Sequence, residues 1–150
     1  MTTTAPAAAS VPKIDVGIGV MVFKNGKVLM SVRKSKLGTG ELAFPGGKLE
    51  YMESYEDCCR RECREEAGIE ITNIKFLYTS NIRRYAPKHF SHITMIADWL
   101  SGEPQVLEPE KSETWNWYDP NDLPNVPMFE TCKMAFEAYK TGNVYFTEKL

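Results

Sequence analysis

Three glutamates at helical spacing are the residues of this chain with the clearest capacity for chemistry. Glu62, Glu65 and Glu66 stand at positions i, i+3 and i+4, which lie together along one edge of a helix. Like charges at this spacing destabilise a helix by about 0.2–0.5 kcal/mol per pair. Clustered carboxylate oxygens suit Mg²⁺ or Mn²⁺. The cluster therefore indicates a divalent metal site; the alternative is a solvated acidic face paired with neighbouring arginines.

The helix that carries these glutamates is predicted to bury two of them. On a helical wheel of residues 55–67, Tyr55 and three cysteines form a core-facing stripe, and Glu62 and Glu66 fall inside it. A buried carboxylate is costly unless it is protonated, paired with a cation or bound to a metal. This placement favours the metal site.

The segment from Gly47 to Ile69 follows one motif at every fixed position. It reads GKLEYMESYEDCCRRECREEAGI, and the motif is Gly, five residues, Glu, seven residues, Arg-Glu, an apolar residue, any residue, Glu-Glu, any residue, Gly, an apolar residue. The fixed positions are Gly47, Glu53, Arg61, Glu62, Glu65, Glu66 and Gly68. Identities at so many fixed offsets are far more specific than a lone glycine-rich loop. On this segment the chain resembles the Nudix hydrolases, which cut pyrophosphate links in nucleoside diphosphate derivatives.

The resemblance implies how a metal is held. By the family pattern, Mg²⁺ or Mn²⁺ ions bind the backbone carbonyl of Gly46 and the carboxylates of Glu62, Glu65 and Glu66. Related enzymes take a further ligand or base from a later loop, and the segment LEPEKSETWNW offers Glu113 first, then Glu110, with Glu108 also present.

The resemblance also implies two other roles. Either Glu62 or Glu65 is expected to be the general base that takes a proton from the attacking water. Arg61 and Glu53 are expected to form an ion pair that fixes the loop against the helix.

Outside the motif, the chain is similar to the MutT-type branch, which hydrolyses oxidised or modified nucleoside triphosphates. The match is close at EPEKSETWNWYDPNDLP, whereas GTGELAFPGGKLEYME departs from the pattern GxxxFxLPGGHLEFGE at Leu42, Phe44, Lys48 and Met52. By analogy, the substrate is expected to contact Arg33, Phe44, Gly47, Lys48, Thr94 and Phe129. The alternative for Arg33 is a solvated surface position, and for Thr94 and the two phenylalanines it is the core. His89 and His92 are only weak candidates for metal ligands.

The resemblance implies an enzyme that releases pyrophosphate from a nucleoside triphosphate such as 8-oxo-dGTP, leaves the monophosphate, and sanitises the nucleotide pool. The first alternative is a hydrolase of ADP-ribose, a dinucleotide, a pterin triphosphate or an isoprenyl diphosphate. The second is a Nudix-fold binding module without turnover, against which the intact motif speaks. Relatives in this branch are often homodimers, so a homodimer is expected by analogy.

The remaining sequence predicts the elements that position these residues. Two β-rich runs flank Asn25-Gly26, a hairpin signal, and a glycine-rich loop is predicted over 37–47. The motif helix is capped by Ser54 and Gly68. Three β-rich runs (69–85, 89–102 and 114–120) and a second helix within 127–140 follow. This order predicts an α+β fold, an α/β/α sandwich with a mixed β-sheet between helices and a catalytic loop-helix-loop, spanning residues 13–150 after a flexible tail of residues 1–12.

Composition limits the partners and the compartment. A formal net charge of −2 lacks the basic surplus that binding of a nucleic-acid polymer requires, so a small-molecule substrate is expected. Four cysteines without C-x-x-C spacing predict reduced thiols and hence a cytoplasmic protein. The start MTTTAPAAASVP has neither a basic region nor an apolar core, so neither a secretory signal nor a membrane anchor is expected.

Overall fold

The computed structural model describes residues 2–5 and 11–149. The flexible tail predicted for residues 1–12 lies partly outside these ranges, and its flexibility stays a prediction. The described elements are β1 (Asp15–Lys24), β2 (Lys27–Val32), β3 (Leu42–Ala43), β4 (Gly46–Lys48), α1 (Tyr55–Ala67), β5 (Glu70–Ile82), β6 (Phe90–Ser101), β7 (Asn116–Tyr118), α2 (Glu130–Thr141) and β8 (Tyr145–Phe146).

The predicted hairpin joins β1 to β2. Asn25 and Gly26 both have positive φ angles, 51° and 76°, which a two-residue turn between twisted antiparallel strands requires. The strands pair directly beside the turn, with Lys24 opposite Lys27. This confirms the hairpin.

The sheet is mixed and splits beside β1. Its order in the described chain is β3-β2-β1-β6-β5-β8, with β4 on β1 and β7 on β2. β1 runs parallel to β6 and β5 parallel to β8, and the other pairs are antiparallel. One edge of β1 pairs with β4 over Gly17–Gly19 and with β2 only near the hairpin. The prediction of a loop over 37–47 was partly wrong, since β3 and the start of β4 lie within it. These residues form strands because β3 pairs with β2 and β4 pairs with β1.

Each face of the sheet is covered by one helix. Alternate residues of β1 point to opposite faces, so Ile18, Val20 and Val22 pack with the α1 cysteines, whereas Met21 packs with α2. The predicted α/β/α sandwich is confirmed. All four cysteines are free and buried, as expected for reduced thiols.

The ends of α1 follow the predicted caps. The Ser54 hydroxyl accepts a hydrogen bond from the backbone N–H of Asp57, and Gly68 ends the helix with a φ of 68°. Glu62 is buried and Glu66 half-buried, as the helical wheel predicts. Tyr55 is exposed, so its predicted core position was wrong; it is the first residue of the helix, and the strands cover the helix only from Cys58 onward.

α2 begins at Glu130, whose backbone N–H donates to the hydroxyl oxygen of Tyr85, and ends at Gly142 in a left-handed conformation. In the part of the chain that the structure describes, neither helix has the length and apolarity needed to cross a bilayer.

Candidate active site

Glu62 is the most deeply placed of the three motif glutamates. Its side chain is buried, and a Cβ added at Gly47 would overlap the Glu62 carboxylate. Gly47 is paired with Ile18 of β1, so the sheet fixes the backbone against which Glu62 rests. Glycine at this position is therefore what allows α1 to bring a carboxylate against the β4 backbone.

Arg61 and Glu53 form the ion pair that the motif predicts. Arg61 Nε donates to Glu53 Oε1 at 2.7 Å, and Nη2 donates to Glu53 Oε2 at 3.0 Å. Two parallel charge-assisted hydrogen bonds give both energy and orientation. The hydrogen bond from Arg61 lowers the pKa of Glu53 to about 2. Glu53 therefore stays charged near neutral pH and does not exchange protons there.

Arg61 also gathers the other carboxylates of the motif. Its Nη1 donates to Glu62 Oε1 at 2.9 Å and to Glu65 Oε2 at 3.3 Å. As these side chains stand, no group of three acidic, histidine or cysteine side chains within the described ranges converges on one metal position. Arg61 holds two of the three glutamates in ion pairs, so a metal would have to compete with this guanidinium.

The environment of the Glu66 carboxylate fits a bound cation. Burial, followed by the hydrogen bond and the charge of Glu62, raises the pKa of Glu66 well above its usual value. The backbone N–H of Gly46 faces the Glu66 carboxylate and acts in the opposite direction. Two carboxylates in contact in a partly buried place are unstable as anions without a positive charge. The glutamates Glu62, Glu65 and Glu66 therefore fit a divalent metal ion.

The loop before β7 places a different carboxylate here than the one favoured from the sequence. Glu108 lies close enough to Glu66 to raise its pKa, and its Oε2 accepts a hydrogen bond from Lys111 Nζ at 2.8 Å. Glu108 is half-buried, whereas Glu110 and Glu113 are exposed; none of the three lines the cavity beside the motif glutamates. The backbone of Glu113 is used structurally, since its N–H donates to the Val32 carbonyl oxygen. Glu108, instead of the favoured Glu113, is therefore the carboxylate of this loop whose charge raises the pKa of Glu66.

Two compartments of one cleft meet at the β3–β4 segment. The acidic compartment, of about 300 Å³, is lined by the motif glutamates and by Ser31, Lys111, Ser112 and Trp115. The apolar pocket, of about 220 Å³, is lined mainly by apolar and aromatic side chains, among them Ile82, Phe90 and Phe129. Both share a wall made of Arg33, Ala43, Phe44, Gly46, Gly47 and Lys48. A ligand can therefore hold an anionic group in one compartment and an apolar ring in the other.

Arg33 stands at the junction of the two compartments. Its Nε donates to the Leu37 carbonyl oxygen at 2.8 Å, and its guanidinium lies over the Phe129 ring, 4.5 Å from the centroid. The Phe129 ring also stacks on Tyr85, with ring centroids 4.6 Å apart. This packing makes Arg33 a fixed, half-buried cation instead of the solvated surface residue that was its alternative.

The other expected contact residues are divided by the structure. Phe44 and Phe129 line the apolar pocket. Lys48 lines both compartments while its Nζ pairs with Asp15 at 2.9 Å. Thr94 is fully buried and does not line either compartment. His92, two residues earlier on the same face of β6, lines the pocket instead.

Sequence reasoning missed several lining residues for identifiable reasons. His92 was predicted only as a weak candidate for a metal ligand, although the two-residue period of a strand places it on the same face as Thr94. Gly17 and Gly19 leave room for the His92 ring, and the G-x-G spacing on a predicted strand was the available signal. Lys111 and Trp115 were in a segment already singled out, but only the fold shows that Trp115 Nε1 donates to the Glu66 carbonyl oxygen at 3.2 Å.

Comparison with known proteins gives one family. The family model described as NUDIX domain matches residues 13–136. The NAD-capped RNA hydrolase NudC of Pseudomonas putida (strain W619) is 31% identical over 118 residues, which cover 79% of this chain and 41% of that protein. The chain thus spans less than half the length of this curated relative.

Solved structures agree on the architecture. A crystal structure of a MutT NUDIX hydrolase from Burkholderia pseudomallei matches with a TM-score of 0.78 and 31% identity, covering 84% of this chain and 98% of that one. A UDP-X diphosphatase matches with a TM-score of 0.70 and 15% identity, covering 95% of this chain and 71% of that one. The second likeness shows the fold alone.

Proposed function

The chain belongs to the Nudix family, and we propose that it is a Mg²⁺-dependent hydrolase that cuts modified nucleoside triphosphates, such as 8-oxo-dGTP, into a monophosphate and pyrophosphate. The observation that carries this proposal is the shared wall of the acidic compartment and the apolar pocket. A nucleotide has the matching form, since a flat ring and a phosphate chain are joined by a short sugar. Mn²⁺ is an acceptable substitute because the ligands are all oxygens.

The residues proposed to hold the metal are Glu62, Glu65, Glu66 and the Gly46 backbone. When bound, Mg²⁺ supplies positive charge to the diphosphate and makes a water molecule a usable nucleophile near neutral pH. Glu62 lies against Gly47 and accepts a hydrogen bond from Arg61, and this fixed position suits a metal ligand.

Glu65 is the better placed general base. Its side chain is 51% exposed and is held only by the longer of the two hydrogen bonds that Arg61 Nη1 donates, at 3.3 Å. It can therefore take a proton from a water molecule in the cleft and release it to solvent. Arg61 and Glu53 keep the helix and the loop in register and act as positioning residues.

The substrate is proposed to lie across the shared wall. Arg33 and Lys48 offer positive charge to the phosphates beside the backbone of Gly47, which pairs with β1, while Phe44 and Phe129 border the base. Thr94 contributes through His92 instead of by direct contact. Phosphate binding by a packed arginine gives orientation as well as charge.

A dinucleotide is the second candidate, because relatives named NAD-capped RNA hydrolase align over most of the described domain. The expectation that no nucleic-acid polymer is a partner rests on net charge alone, and the name of these relatives runs against it. Capped RNA therefore belongs among the substrates to be tested. A cytoplasmic location and a homodimer stay proposals, the first from the free cysteines and the second by analogy.

The experiment is a substrate panel with Mg²⁺, comparing the unaltered protein with Glu66→Gln. The panel contains canonical and oxidised dNTPs, ADP-ribose, NAD, NAD-capped RNA and geranyl diphosphate, with products separated by chromatography. Release of pyrophosphate and a nucleoside monophosphate, lost in Glu66→Gln, is the expected result. Two monophosphates from NAD or ADP-ribose, without turnover of any triphosphate, would move the assignment to the second candidate, and no metal-dependent turnover of any substrate would leave a binding module.

A further inference from the structure

His92 forms a polar spot in the wall of an otherwise apolar pocket. It stands opposite Gly17 in the parallel pairing of β1 with β6. A Cβ added at Gly17 would lie 3.2 Å from Nδ1, and one added at Gly19 would lie 3.4 Å from Nε2. The two glycines therefore create the space that the imidazole ring occupies. His92 is only 7% exposed, and it lines the pocket.

The Nε2 side of the ring is held by a chain of buried hydroxyl groups. Nε2 lies 2.9 Å from the Thr94 hydroxyl oxygen. The Thr94 hydroxyl lies near the hydroxyl of Tyr78 and acts on it as a donor, since it lowers the pKa of Tyr78, and Tyr78 donates to the backbone carbonyl oxygen of Thr131. Thr94 and Tyr78 are both fully buried, so no solvent competes for these bonds.

The hydrogen bonds in this series all point in one direction. A carbonyl oxygen only accepts, so the single hydroxyl proton of Tyr78 is used on Thr131. Thr94 must then donate its own proton to Tyr78, which leaves the Thr94 oxygen as an acceptor toward His92. Nε2 therefore carries a proton.

The state of Nδ1 follows. Burial lowers the pKa of His92 to about 3, so the ring is neutral under ordinary conditions and holds one proton only. With that proton on Nε2, Nδ1 carries a lone pair. In the described part of the chain, Nδ1 has no hydrogen-bond partner. Every fully buried polar side-chain atom there does have a partner, so Nδ1 is not fully buried. Nδ1 is therefore open to the pocket.

We propose that Nδ1 of His92 is a fixed hydrogen-bond acceptor that selects substrates whose ring presents an N–H group to the apolar pocket. The inference rests on the proposed function and specifies its substrate class: a nucleobase with a lactam N–H, in preference to a base without N–H groups or to an isoprenoid chain. A ligand without a donor would displace water from Nδ1 and leave this acceptor without a hydrogen bond. Loss of one such hydrogen bond to a buried neutral acceptor corresponds to about a tenfold to hundredfold change in kcat/KM.

The kinetic test compares two triphosphates that differ at one edge of the base. Inosine triphosphate has a lactam N–H, and purine riboside triphosphate has no N–H on its base. The unaltered protein is expected to favour inosine triphosphate by about tenfold or more, mainly through KM. In His92→Phe the preference should fall toward unity, and in Thr94→Val it should weaken because Nε2 loses its acceptor. A preference that persists in His92→Phe would overturn the proposal.

A second measurement needs no variant of the pocket and no turnover. The chain has two histidines, so ¹⁵N spectra of the histidine rings are simple, and His89→Gln assigns them. His92 should show a protonated Nε2 and an unprotonated Nδ1. Addition of inosine monophosphate should shift Nδ1, while purine riboside monophosphate should not. A proton on Nδ1, or equal shifts with both ligands, would overturn the proposal. A selective shift in a protein that hydrolyses no nucleoside triphosphate, 8-oxo-dGTP included, would support the acceptor role and refute the proposed activity.

Discussion

The carboxylate of Glu62 rests against the Cα of Gly47, in space that any side chain at position 47 would fill. The two residues come from different elements, α1 and β4, and this contact sets the distance between them. A motif that specifies a glycine and a glutamate 15 positions apart therefore specifies a point where a helix touches a strand. The contact can be broken by a single methyl group.

Gly47→Ala is expected to lower both stability and activity. The added methyl would displace Glu62, and overpacking of this kind costs about 1–3 kcal/mol. Thermal unfolding and kcat with Mg²⁺ are the measurements. The control is the double variant Gly47→Ala with Glu62→Ala, which removes the overlap and should regain stability without regaining activity. Equal stability of Gly47→Ala and the unaltered protein would show that the contact is not close.

Glu66→Gln is expected to stabilise the metal-free protein while it abolishes turnover. The raised pKa of Glu66 means that ionisation is disfavoured in the folded state, so a penalty develops as the pH rises above the unfolded value of about 4.5. Removal of this carboxylate should therefore raise the free energy of unfolding near pH 7. The gain should vanish below pH 4.5, where both states hold the proton. Urea unfolding in EDTA measures it.

Glu65→Gln is the matched control for that prediction. Glu65 carries the same charge on the same helix but is exposed. Its replacement should reduce turnover without a comparable gain in stability. A similar gain in both variants would mean that the helix is relieved of general negative charge and not of one buried carboxylate.

The sequence predicted the site best where a local pattern determines the structure. The helix caps at Ser54 and Gly68, the Asn25-Gly26 turn and the Arg61–Glu53 pair all depend on residues near one another in the chain or at fixed motif offsets. Tyr55 was misplaced because a helical wheel assigns a direction but not the point where neighbouring strands begin to cover the helix.

The parts that could not be predicted depend on long-range pairing. The position of the glutamates in the loop before β7 is set by the Glu113 N–H, which donates to Val32, and by a turn in which the Glu108 carbonyl oxygen accepts from Lys111 and Ser112. The exchange of Thr94 for His92 in the pocket wall depends on the glycines of β1, which lie opposite in the sheet and far away in sequence.

Breaking the Arg61–Glu53 pair with Glu53→Gln is expected to destabilise the protein in a pH-dependent way. The pKa of Glu53 is lowered to about 2, so its stabilising contribution is complete above the unfolded value of about 4.5 and is lost as the pH falls toward 2. At pH 7 the variant should lose about 1–3 kcal/mol, because a charge-assisted pair with little exposure is removed. Denaturant unfolding at pH 7 and pH 3 should show a smaller difference at the lower pH.

Asp57→Asn provides the comparison for Glu53→Gln. It breaks the Arg60–Asp57 pair, whose side chains are 39% and 69% exposed, and should cost less than about 0.5 kcal/mol. If both variants lose the same free energy of unfolding, the Arg61–Glu53 pair stabilises the protein no more than an exposed ion pair does.

Glu108→Gln is expected to weaken metal-dependent turnover more than Glu113→Gln. The charge of Glu108 raises the pKa of Glu66, and Glu108 is half-buried and held by Lys111, whereas the Glu113 side chain is exposed. Loss of a group that orients or supplements metal ligands lowers affinity or activity by about tenfold to hundredfold. The measurements are kcat/KM as a function of Mg²⁺ concentration and Mn²⁺ binding followed by electron paramagnetic resonance. The half-saturating metal concentration should rise in Glu108→Gln and stay unchanged in Glu113→Gln. The reverse order would return Glu113 to the site and imply that the loop before β7 rearranges when metal binds.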